Sequence, residues 1–206
     1  MALWGPTRLR PIRCRSWKAL AFAGVALAVS LRAPAPPAAA QDPSPTIEYQ
    51  VKAAFLFNFA KFVDWPTETF SRPDAPFVVG VLDRGTFGDV LELVVRGKTV
   101  DGRALTVRRL KGPEEGTGCQ IVFVGAHEMS LLPALLREIR GSAILTVGDT
   151  EKFSRQGGMV NFVVQDNRVR FEINADAAQR AGLKISSKLL QLATIVQDVR
   201  PAEDTR

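Results

Sequence analysis

The apolar positions of this chain change their period along its length, and each change predicts a different element. Over residues 46–65 (TIEYQVKAAFLFNFAKFVDW), Ile47, Val51, Ala54, Phe55, Asn58 and Phe62 recur at helical spacing. Leu56, Phe57, Phe59 and Val63 leave the rest of the circumference nearly as apolar, so this helix must be covered on more than one side. A second subunit is one source of that cover. Thr46 or Ser44 can cap the start, Glu48 suits its positive end, and Pro66 stops it by pushing the preceding residue out of the helical region.

From Phe77 onward, strand and helix patterns alternate. Residues 77–82 (FVVGVL) form a continuous apolar run, as expected of a strand buried on both faces. Asp83 to Gly85 make a turn, after which Thr86 can cap a helix over residues 87–96. Residues 105–110 alternate in part and predict a strand, and residues 120–124 and 143–147 predict two more buried ones. Between these two, a helix over 130–140 ends at Gly141, with Arg137 and Arg140 near its negative end. Residues 159–165 and 168–173 then alternate around Asp166-Asn167, a two-residue hairpin signal, and a closing helical region covers 175–193 with a break point at Gly182. Together they predict an α/β fold: a single domain with a mixed, mostly parallel central sheet, helices on both faces, and a C-terminal β-hairpin plus helix. The domain is placed at 46–195, with a flexible tail at 196–206.

The first 40 residues have a different layout. Arg8, Arg10, Arg13, Arg15 and Lys18 precede an apolar stretch over 19–31, and a Pro/Ala segment ends in Ala38-Ala39-Ala40 before Gln41. That is the pattern of a cleavable signal peptide, and the apolar stretch is shorter than the roughly 20 residues a membrane-spanning helix needs. Residues 1–40 are therefore expected to be removed on export to the periplasm, leaving a linker at 41–45. Removal also changes the charge. Six of the 27 Lys and Arg residues lie in the leader, with no acidic residue, which leaves 21 against the 21 Asp and Glu. A neutral chain gives no reason to expect nucleic acid as a partner.

The chemistry-bearing residues are few. Cys14 leaves with the leader, so Cys119 is the one cysteine of the mature chain; it is either a buried inert thiol or the site of a disulfide to another chain. His127, the single histidine, sits at a strand-to-helix junction and is either a surface turn residue, the reading favoured by the absence of a nucleophile motif beside it, or the general base of a hydrolase. One histidine and one cysteine cannot supply the ligands of a zinc site, and no calcium loop is present, so no cofactor is expected. The glycines at 85 and 88 lack the spacing of a phosphate-binding loop, and Gly157-Gly158 suits a tight turn. The chain is expected not to be an enzyme. Its most prominent feature is the aromatic stripe Phe55, Phe57, Phe59, Phe62 and Trp65, which serves either core packing or an interface. A second functional expectation is a small-molecule cleft at the carboxyl ends of the strands, near residues 83–86 and 148–150.

Tyr49, Val51, Lys52, Ala53, Ala54 and Phe55, then Asn58, Phe59, Lys61, Phe62, Trp65 and Pro66, form one block; VVGVLDRGTFG, CQIVFVG and the stretch from ILTVGDTEKF to KLLQLA follow in order. In these blocks, from Tyr49 to Ala193, the chain resembles the YfiR/HmsC family of periplasmic repressors of membrane-bound diguanylate cyclases. The resemblance implies a non-catalytic α/β domain that often forms a homodimer. It implies a partner in the periplasmic sensor part of an inner-membrane GGDEF protein, whose cyclic-di-GMP synthesis is held down until stress or an outer-membrane lipoprotein relieves the hold. With a dimer formed partly through the apolar helix at 46–65, the interface residues expected are Tyr49, Phe55, Phe59, Phe62 and Trp65. Family members that sense redox carry paired cysteines, whereas Cys119 has no partner in the mature chain, which leaves an intermolecular disulfide as its redox option.

Overall fold

The computed structural model describes residues 45–197. The expected leader, the linker up to residue 44 and the tail from 198 lie outside them. In chain order the elements are α1 (Pro45–Phe62), β1 (Val63–Asp64), β2 (Phe77–Leu82), α2 (Phe87–Val95), β3 (Thr99–Val100), β4 (Arg103–Arg109), β5 (Ile121–Val124), α3 (Leu132–Glu138), β6 (Leu145–Gly148), β7 (Val160–Gln165), β8 (Arg168–Asn174), α4 (Ala175–Arg180), β9 (Lys184–Ile185), α5 (Ser187–Leu190) and β10 (Thr194–Val196).

The continuous apolar runs become the centre of the sheet, because a strand with neighbours on both sides and helices on both faces has no polar surface to present. Strands β4, β2, β5, β6 and β7 lie side by side in that order and all run parallel. Beyond β7 the hairpin partner β8 is antiparallel, and β10 closes that edge parallel to β8; at the other edge β3 pairs antiparallel with β4. The chain enters at β2, moves to β4, then jumps back across β2 to β5. The carboxyl ends of β2 and β5 thus form a switch point, where open sheets of this kind leave a crevice.

Two apolar cores flank the sheet. One gathers Leu56 and Phe59 of α1, Leu91 of α2, Ala178 of α4 and Leu189 of α5 against Val79, Phe123 and Phe171. The other packs Leu132 and Leu135 of α3, with Ile139 beyond its end, against Leu82, Val122 and Val124. The expected single α/β domain with a mostly parallel sheet and helices on both faces is therefore present. Phe153, wholly buried, wedges between Gly148 and Gly158, where any Cβ would collide with its ring.

Several boundaries differ from expectation, each for a visible reason. The first helix ends at Phe62 because Val63 and Asp64 pair with Ile185 and Lys184, and the Phe62 carbonyl accepts from Ser186 N–H at 2.9 Å. Thr86 makes no side-chain cap, whereas Asn174 caps α4 by accepting from Ala177 N–H at 2.9 Å. The helix expected over 130–140 starts at Leu132, since residues 126–131 form a 3-10 turn ahead of Pro133. The closing helical region is broken in three. Gly182, at φ +75°, ends α4; β9 joins β1; and α5 is a separate short helix, beyond which the β-branched Thr194, Ile195 and Val196 extend the main sheet at the point where the tail was expected to begin. The hairpin at Asp166-Asn167 is as expected, with φ of 51° and 60°. A second one, β3 to β4 around Asp101-Gly102 at φ 49° and 78°, was not anticipated.

Candidate interaction surface and the polar cluster beside it

Helix α1 is packed partly inside out. Its inner face carries Lys52, Ala53, Leu56, Phe59 and Ala60, all buried, while Ile47, Val51 and Phe62 on the outer face are 55%, 37% and 37% exposed. Of the helical row singled out from the sequence (Ile47, Val51, Ala54, Phe55, Asn58 and Phe62), Ile47, Val51 and Phe62 thus face outward, whereas Asn58 is partly buried and Phe55 turns to the core. Ala54 in this row is exposed as well.

The five aromatic residues assigned to an interface divide accordingly. Phe59 is entirely buried, with its ring 5.7 Å from Phe162 and 5.2 Å from Phe171, so it belongs to the core. Phe55 is half-buried against the same two rings at 6.2 and 5.2 Å. Tyr49 sets an edge against Phe87 at 5.5 Å, and Trp65 against Phe77 at 5.1 Å, with the indole N–H donating to the Ala60 carbonyl at 3.0 Å. Phe62 alone among them faces outward. Ile47 and Val51, on the same row, were not singled out as contact residues; their helical spacing with Phe62 was the available signal.

Lys52 is the exception on the inner face. Its ammonium reaches Glu48 Oε1 at 2.6 Å, one turn back, and Asp149 Oδ2 at 2.9 Å, just past β6. Burial alone would push the ammonium pKa down, but the charges of Asp149 and Glu48 outweigh it and the net shift is upward, so this lysine stays charged. Tyr49 beside it has its phenol pushed up, first by burial and then by the negative charges of Asp149 and Asp83. Asp83 itself lies so close to Gly125 that a Cβ there would collide with its carboxylate. Glu128 is buried, with Arg84 Nε 3.6 Å from Oε1 and, among the described residues, no hydrogen-bond partner for Oε2; Asp149 Oδ1 is likewise buried without one among them. Beside the switch point, therefore, Asp83, Asp149 and Glu48 surround Tyr49, and Lys52 ties Asp149 to α1. This cluster coincides with the position expected for a small-molecule cleft. Two cavities, of about 470 and 640 Å³, open elsewhere, near the amino ends of β5 and β6, and share Gly141, Ser142 and Ala181 in their walls.

Among the described residues no group of three or more His, Cys, Asp or Glu side chains is placed to hold a metal ion. His127 is exposed in the 3-10 turn after β5. Cys119 is 1% exposed, and its Sγ accepts from Arg108 Nη2 at 3.0 Å. Burial pushes the thiol pKa up, and the nearby Arg108 only partly offsets this, so little thiolate is present at neutral pH. A bridge to another chain would require this sulfur to come to the surface. Native protein is expected to react with a maleimide or a disulfide reagent only after denaturant is added, and to run as a monomer on a non-reducing gel. Rapid native labelling, or a reducible dimer, would show that Cys119 is accessible.

An α/β domain with a parallel centre is a scaffold shared by many activities, so class alone names none. The sequence profile of the YfiR/HmsC-like family matches residues 49–194, most of the chain, and the protein belongs to that family. Among solved structures, an ABC domain in complex with L-Trp from Streptococcus pneumonia is similar over 72% of this chain and 60% of its own, with 11% identity and a TM-score of 0.46. The chain thus spans less than two thirds of that structure's length.

Proposed function

We propose that this protein is a non-catalytic regulator of the bacterial periplasm, exported through its first 40 residues. It binds the periplasmic sensor part of an inner-membrane protein, a GGDEF diguanylate cyclase, and represses cyclic-di-GMP synthesis. Family membership supports the regulatory role in outline. The observation that carries a binding function is the outward row Ile47, Val51 and Phe62, apolar surface on a helix otherwise committed to the core. Such a row suits both a homodimer contact and a partner contact. Coupling is by population shift: the bound form favours an inactive arrangement of the partner's cytoplasmic part, and release by stress or by an outer-membrane lipoprotein reverses it.

A second reading, a small-molecule sensor, is favoured by the orphaned carboxylate oxygens of Asp149 and Glu128 at the switch point. Cellular cyclic-di-GMP, measured with and without the gene and after complementation with versions carrying or lacking residues 1–40, tests the first reading. A rise on deletion, restored only by the version with the leader, is the expected result. An unchanged level across growth conditions would overturn the cyclase link, and thermal-shift screening of periplasmic solutes would then address the second reading.

A further inference from the structure

The hairpin of β7 and β8 runs past the rest of the sheet. Strand β7 pairs with β6 only at Val160 and Asn161, and β10 pairs with β8 only at Glu172, Ile173 and Asn174. Among the described residues, 162–165 and 168–171 therefore pair only with each other. Their outer backbone groups form an open edge, which is a template for another strand.

The side chains on this extension differ between its two faces. Phe162 and Phe171 lie opposite one another beneath Phe55 and Phe59, and Val164 and Val169 form the same-face pair one step further out. Val164 is 50% exposed, so the apolar face of the hairpin continues past its cover. The opposite face carries Arg168 and Arg170. Both are exposed, and neither is ion-paired among the described residues.

We propose that the outer edge of β8 at residues 168–171 is a docking site for an extended segment of another protein, one that alternates apolar and acidic residues. The apolar side chains of that strand lie beside Val169 and extend the face it shares with Val164 across the hairpin, and its carboxylates meet Arg168 and Arg170. Charge on a sheet edge ordinarily keeps other strands away. Here it has one sign, so it rejects basic strands and a second copy of this chain while admitting an acidic one. Antiparallel self-pairing would bring the four arginines of two copies onto one face, which is destabilising. The proposal rests on the reading that the protein acts by binding a partner, and it supplies a surface for that binding distinct from the row on α1.

The test is hydrogen exchange of the purified full chain with two synthetic peptides, one a Val-Glu repeat and the other a Val-Lys repeat. The Val-Glu peptide is expected to slow exchange at residues 168–171 roughly tenfold, and the Val-Lys peptide to leave it unchanged. The double variant Arg168→Glu with Arg170→Glu, first shown to melt like the parent, is expected to reverse this preference. Absence of protection from either peptide, protection on α1 alone, or protection that grows with protein concentration and no peptide would each overturn the proposal. The last of these would assign the edge to a second copy. The regulatory reading fails separately. If peptide protects the hairpin but deletion leaves cyclic-di-GMP unchanged, the edge stands without the cyclase. If deletion raises cyclic-di-GMP and the charge-reversed variant still represses fully, the cyclase stands and the edge falls.

Discussion

Phe59→Asp is expected to leave no folded domain, whereas Phe62→Asp is expected to fold and to lose self-association or partner binding. The two residues are three apart on one helix, yet one is completely buried and the other 37% exposed. Truncating a buried phenylalanine to alanine costs about 3–5 kcal/mol. Aspartate adds an unpaired charge in the stack formed by Phe55, Phe162 and Phe171, and a domain's entire stability is only about 5–15 kcal/mol. At Phe62 the carboxylate can turn to water, so the cost is the lost contact of a partly covered ring, about 1–2 kcal/mol, well within the stability of a domain. Circular dichroism melts separate folded from unfolded variants, and light scattering reads association. A Phe62→Asp protein that melts like the parent and associates equally well would remove the outer row from the interface. A folded Phe59→Asp protein would contradict the core described above.

The same pair of residues shows how far the sequence could be read. That the first segment was a helix, needing cover on several sides, followed from the density of apolar side chains. Which side faced the sheet did not follow, because its hydrophobicity is nearly even around the axis. What decides it lies far along the chain: Phe162 and Phe171, which receive Phe55 and Phe59, and Asp149, 97 positions from the lysine it holds. The long apolar runs at 77–82 and 120–124 and the Asp166-Asn167 turn carry their own signals and were legible. Strands β1, β3, β9 and β10 are two or three residues long, too short to show a period, and they exist because a neighbouring edge was available. The acidic cluster at the switch point was legible only as a location. Residues 83–86 and 148–150 follow buried strands, but nothing local showed that Lys52 would reach across to them.

Lys52→Met is expected to destabilise the domain by about 3 kcal/mol, although it puts an apolar side chain of similar length on a buried helix face. Methionine restores the packing of the lysine stem but not its three donors. Asp149 Oδ2 and Glu48 Oε1 each lose a partner, in a cluster where Asp149 Oδ1 already has none among the described residues. The figure sits at the low end for a broken buried pair because these carboxylates keep 14% and 23% side-chain exposure, enough for water to reach them in part. Adding Asp149→Asn is expected to recover part of the loss, since an amide can be left in that position without an uncompensated charge. Urea denaturation of the parent, the two single variants and the double variant gives the coupling between the two residues. Strong coupling would mean that one ion pair fixes the rotation of α1, and with it the row Ile47, Val51 and Phe62 that faces outward. A neutral or stabilising Lys52→Met would mean that aromatic packing alone holds the helix in place, and that the lysine and its acids were kept for something other than stability.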